Sequence, residues 1–169
     1  AIPHCYFKGS DLPVDNARVV DLERNTPNQY KTQGHVRGIL TQVYADHTGH
    51  KHFAIEFEGI PGTGIEVIYN ETFGPLPKLK TGMVVEACGE YITSTKPAGH
   101  YPASPMGAII HWVHINPNQG FDAHPSGFVM LDGVLYGQGA TKADHSRNRG
   151  GRQQGGRHHG GRRSGGRRG

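Results

Sequence analysis

His52-Phe53-Ala54-Ile55-Glu56-Phe57-Glu58 alternates cleanly, with Phe53, Ile55 and Phe57 on one face of an extended chain and His52, Glu56 and Glu58 on the other. That is the pattern of a half-buried strand. Turn formers bracket it, Asp46–Gly49 before and Pro61-Gly62-Thr63-Gly64 after. Ahead of the first turn, Gly34–Tyr44 sets Val36, Ile39 and Val43 among polar residues, with Gly38 where a bulge would let the strand bend. Beyond the second turn, Ile65–Tyr69 reads as a third strand. Glu71–Lys80, with Pro75 and Pro77, reads as a crossover holding a helical turn, and Met83–Ile92 as a fourth strand. Thr93–Gly107 is a long Pro/Gly loop. Ala108–Ile115, apolar on both faces, is expected to be a central fifth strand. Phe128–Leu131 and Val134–Tyr136 then flank Asp132-Gly133, a two-residue hairpin turn.

Three strands, a crossover and two more strands is the order of an oligonucleotide/oligosaccharide-binding (OB) barrel, a small β-sandwich being the alternative. The expected fold is therefore all-β: a five-stranded OB-like barrel with an extra C-terminal hairpin and a disordered basic tail. Residues 1–29 form a lead-in with a helical turn around the apolar stretch Ala17–Leu22, residues 30–140 the barrel, and residues 141–169 the tail. In such barrels the loops joining strands 1–2 and 4–5 flank one binding face. Here they carry His47 and His50 in the first, and Lys96, His100 and Tyr101 in the second, with His52 beside them.

The charge is segregated. From His145 to Gly169 the chain holds eight arginines (Arg147, Arg149, Arg152, Arg157, Arg162, Arg163, Arg167 and Arg168), nine glycines and no acid. From Gly150 it repeats a five-residue unit, GGRQQ, GGRHH, GGRRS, GGRRG. With nothing apolar to bury, this stretch is expected to stay solvated. Guanidinium forks take phosphate oxygens in pairs and stack on bases, so it suits DNA, RNA or another polyanion. Before it lie ten basic and fourteen acidic residues, a body of net −4 against a tail of +8. If every tail arginine met a phosphate, the salt slope on single strands would be about −6.

No apolar run approaches the roughly 20 residues needed to span a bilayer, so no transmembrane segment is expected. A start at Ala1-Ile2-Pro3 fits a mature chain after signal-peptide removal, and a secreted or periplasmic location is expected. The two cysteines, Cys5 and Cys88, would then form one disulfide tying the N-terminal segment to a strand; two unrelated thiols are the alternative.

Ile110-His111-Trp112-Val113-His114-Ile115-Asn116-Pro117 resembles the signature I-H-W-x-H-x-D/N-P of a bacterial family of small exported proteins of unknown function. The likeness extends back through Gly89-Glu90-Tyr91 and His50-x-x-Phe53. It runs forward through His124-x-x-Gly127-Phe128 and Gly133-x-x-Tyr136, covering about residues 30–138. The family usually has Trp where Phe128 stands, and Thr93–Gly107 and the arginine tail look like additions. The resemblance implies export and fold more than function, since it carries no established activity with it.

The histidines are the candidate chemistry. His50, His111, His114 and His124 are the residues that would hold zinc or another divalent metal, or act as acid and base on a phosphodiester. Regular strand geometry sends His111 and His114 to opposite faces, so they share a metal only if the strand ends or bulges between them. Otherwise one is a hydrogen-bonded barrel residue and the other packs on Trp112. The leading expectation is binding without turnover and without a required cofactor, through the eight tail arginines with Lys96 and Tyr101. A histidine-centred phosphodiesterase and a self-assembling extracellular protein scaffolded on a polyanion are the alternatives.

Overall fold

A computed structural model describes residues 3–118 and 120–139. The arginine repeat lies outside the described residues. A short ribbon, β1 (Tyr6–Phe7) and β2 (Ser10–Asp11), leads into α1 (Asn16–Asn25). Then come β3 (Lys31–Val43), β4 (His50–Phe57), β5 (Gly64–Asn70), a single 3-10 turn (Glu71–Phe73), β6 (Val84–Thr93) and β7 (Ala108–His111). The hairpin β8 (Phe128–Leu131) and β9 (Val134–Tyr136) follows.

β3, β4, β5, β7 and β6 pair in that order and β6 returns to β3, closing a five-stranded barrel with the connectivity of an OB fold. All of these pairings are antiparallel except β5 with β7. The length of β6 accommodates the hairpin. One edge of β6 runs along β3, while the other gives Val85–Cys88 to β8 and Glu90–Thr93 to β7.

Inside the barrel, Phe53, Ile55 and Phe57 of β4 meet Ile65, Val67 and Tyr69 of β5, with Val36, Leu40, Val85, Tyr91 and Ile110. The alternation of β4 read from sequence is the one observed. In β3 the inward residues are Val36 and Leu40, whereas Ile39 and Val43 are exposed. The irregularity falls between Leu40 and Gln42, not at Gly38. Gly38 answers a different need: a Cβ there would lie 2.1 Å from the carbonyl oxygen of Glu56, so only glycine lets β3 approach β4 so closely.

The lead-in is more than a turn. α1 runs ten residues, starts on Asp15 (its carboxylate accepts from Arg18 N–H at 3.0 Å), and drives Val19 and Val20 into the barrel core. Asn16 ties it down by donating to the carbonyls of Arg37 and Glu58. Cys5 and Cys88 are joined, with Cα atoms 5.8 Å apart, and pack with Phe128 against Leu12, Met130 and Leu135. Among the described residues no helix is long and apolar enough to cross a membrane.

Candidate functional site

The fifth strand ends at His111, four residues short of the sequence reading. Trp112 takes φ +56°, a left-handed conformation that is strained for a bulky side chain, and the chain leaves the sheet. Neighbouring backbone holds it there. Gly127 N–H donates to His114 O at 2.7 Å and Ile115 N–H to Gly137 O at 2.8 Å. At residue 127 a Cβ would stand 2.2 Å from both the Trp112 and the Cys88 carbonyl oxygens, which makes glycine obligatory. Asn116 secures the far side, its N–H donating to Ser126 Oγ and its side-chain amide to His124 O.

The break sorts the histidines into distinct roles. His114 is buried, its ring stacked on Phe73 at 3.7 Å and tilted against Trp112 at 4.8 Å, with Nδ1 on the carbonyl of Ile115. Burial pushes its pKa down to about 4, so it is a neutral packing group at ordinary pH. His124 also stacks on Trp112, at 4.1 Å. Its Nε2 reaches one oxygen of Glu90 at 3.2 Å, while His111 Nε2 reaches the other at 2.8 Å. The hydrogen bond from His111 holds the Glu90 carboxyl below the usual carboxylate range; burial opposes this and His124 adds to it.

A second pair stands nearby on the outer sheet surface. His52 Nδ1 donates to Glu66 Oε2 at 2.8 Å, and Ser104 Oγ donates to the other Glu66 oxygen at 2.8 Å. His52 lies opposite Ile68 on β5, Val67 lies opposite Ile110 on β7, and His111 lies opposite Glu90 on β6. His52, Ile68, His111 and Glu90 therefore form one outward-facing row across four strands. Their inward neighbours Phe53, Val67, Ile110 and Tyr91 are in the core.

The sequence-predicted residues divide accordingly. His50 pairs with Asn70, at the barrel end where β7 gives way to Trp112, so His50, His111, His114 and His124 gather at one end. They do not converge as a ligand set. Among the described residues, no group of three or more His, Cys, Asp or Glu side chains is placed to hold a metal ion. Lys96 and Tyr101 sit at the opposite end. Their loop leaves β6 at Thr93, which lies opposite Ala108, and Ala108 precedes the Ile109–Glu66 pair. From there to Asn70 is four or five residues of strand, about 15 Å. The face expected to combine His50 with His100 and Tyr101 is thus not assembled. Tyr101 is nonetheless 76 % exposed, on a loop whose Thr95 and Lys96 N–H groups donate to Asn28. The eight tail arginines lie outside the described residues, and the last of these, Gly139, donates to Phe73 O at 3.1 Å.

Sequence reading missed Glu66, Glu90 and Ser104 as partners and treated His52 only as a neighbour. Strand alternation already put His52 and Glu66 outside, but their pairing is diagonal across two strands and needs the register. No protein-family model and no curated protein matches the chain. The likeness at Ile110–Pro117 stands on its motif alone.

Proposed function

We propose that this is an exported polyanion-binding protein that holds nucleic acid through its Arg/Gly repeat, with the barrel as the folded carrier. The observation that carries the reading is the segregation of charge, eight arginines and no acid after residue 144 against a body of net −4. The state of one lysine of the body agrees with it. Lys51 is taken up by Asp46 at 2.7 Å and Glu71 at 3.3 Å, so its charge is already answered within the barrel. Lys96 and Tyr101 would add a charge and a stacking ring from the barrel's far end. The Cys5–Cys88 bridge supports export, since such bonds persist in oxidising compartments.

The test compares the full chain with one stopped after Asp144, using labelled single-stranded DNA and RNA at several salt concentrations. The shortened chain should fold normally and lose most of its affinity, and binding by the full chain should fall steeply with salt. Equal affinity of the two chains would move the site into the barrel and refute the arm.

A further inference from the structure

We propose that the outer face of β4, β5, β7 and β6 carries a two-histidine acid–base site, His52 with His111, that cleaves single-stranded RNA by transphosphorylation. The inference deepens the polyanion reading and rests on it for delivery of the substrate.

Each histidine gives one ring nitrogen to a carboxylate. His52 Nδ1 donates to Glu66 at 2.8 Å and His111 Nε2 to Glu90 at 2.8 Å. A carboxylate only accepts, so each bond fixes the tautomer and leaves the opposite nitrogen, His52 Nε2 or His111 Nδ1, to accept or deliver a proton. Neither of those nitrogens is bonded within the described residues, and the two side chains are 20 % and 30 % exposed. Glu66 is itself fixed by Ser104, and Glu90 by His124. These four are positioning residues. They aim the imidazoles without touching substrate.

The spacing suits a phosphodiester. His52 and His111 stand in one row with Ile68 between them, two strand spacings or about 10 Å apart at the backbone. Acid and base in such a cleavage act on opposite sides of one phosphorus atom, each within about 3 Å of the oxygen it serves. Two imidazoles suffice when the substrate brings its own nucleophile, and the RNA 2′-hydroxyl is one. The neutral histidine takes the O2′ proton as O2′ bonds to phosphorus. The P–O5′ bond breaks with its electron pair going to O5′, and the protonated histidine gives O5′ its proton. The products are a 2′,3′-cyclic phosphate and a 5′-hydroxyl; a second proton exchange with water resets the pair.

Position supports delivery. Gly139, from which the arginine tail continues, bonds to Phe73, three residues beyond Asn70 on β5. The row at Ile68 is two residues below Asn70, so a strand gripped by the tail is held at a raised local concentration beside it.

The experiment uses the full oxidised chain with a labelled oligouridylate and the oligothymidylate of equal length, reading binding by fluorescence anisotropy and cleavage by product analysis. Expected are binding of both, cleavage of the RNA alone, and a 2′,3′-cyclic phosphate terminus. His52→Gln and His111→Gln should each slow cleavage about 100-fold or more while binding stays within twofold. Binding without cleavage overturns the site and leaves the polyanion reading standing, whereas absence of binding overturns that reading. Cleavage of both polymers, or RNA cleavage that survives both substitutions, also overturns the site. The product and DNA controls use the unaltered chain, so they decide even if a variant fails to fold.

Discussion

Replacing His114 with phenylalanine keeps a flat ring between Phe73 and Trp112 and removes the titrating nitrogen, so it isolates what burying an imidazole does to this fold. In the folded chain burial holds the His114 pKa at about 4, against 6.5 for the free side chain. Between those values the unfolded chain carries a proton there and the folded chain does not. Stability contributed by the neutral ring is therefore full above pH 6.5 and drains away as pH falls towards 4. At about 1.4 kcal/mol per unit, the loss is about 3 kcal/mol. Glu90 adds a loss of the same sign at lower pH: its depressed carboxyl stabilises above the unfolded carboxylate range and fails as pH drops through the folded value. That background is common to both chains and cancels in the difference. Urea unfolding followed by the emission of Trp112, the only tryptophan, should show the wild type losing about 3 kcal/mol more than His114→Phe between pH 7 and pH 4. Parallel losses would mean that burial does not keep the ring neutral, and the reasoning would fail.

Glu23 should behave with the opposite sign. Burial pushes its carboxyl up to about 8 from 4.5, and among the described residues its buried Oε1 has no hydrogen-bond partner. The raised pKa means that stability is lost as pH rises from 4.5 towards 8, so Glu23→Gln should gain about 1–2 kcal/mol at pH 8, after discounting for its partial exposure, and little at pH 4. Melting temperatures across pH decide it, and no gain at pH 8 would count against the buried acid. Opening the Cys5–Cys88 bridge, which spans 83 residues, should cost up to about 4.5 kcal/mol on the chain-entropy estimate. Denaturant unfolding of Cys5→Ala/Cys88→Ala measures this, and an unchanged midpoint would show that the N-terminal ribbon does not constrain the barrel. Gly127→Ala puts a methyl against two carbonyl oxygens and should cost about 2 kcal/mol or more, with a shift in Trp112 emission as the segment after His111 moves. Unchanged stability and emission would show that the contact is not needed.

What was legible in the sequence was whatever depends on local period and turn chemistry. The alternation of His52–Glu58, the Asp132-Gly133 hairpin and the order of strands around the crossover each need only a short window, and together they specify the barrel. α1 was harder. Its apolar face is Val19 and Val20 with few companions among charged residues, so most of its stability comes from the core it enters, and a window of sequence does not contain that core. The end of β7 was hidden for a similar reason. Ala108–Ile115 has strand composition throughout, and what stops the strand is the backbone of residues 127 and 137, which the chain supplies later.

The same distinction explains which part of the candidate site could be found from sequence. Histidines can be counted, and four of them do gather at one end of the barrel, but a count cannot separate a ring that packs from one that is partly open to solvent. Burial makes that separation. His114 and His111 are three residues apart, yet one is enclosed between two aromatic rings and the other is aimed by Glu90 with a nitrogen left over. Closure of the barrel is what sets His52 level with His111, because β5 and β7 pair in parallel and carry the register of β4 across to β6. A slip of one residue in that parallel pair would turn His111 inward and break its bond to Glu90. Any chemistry on this face therefore depends on the packing of Val67 and Ile110, two residues that never touch solvent.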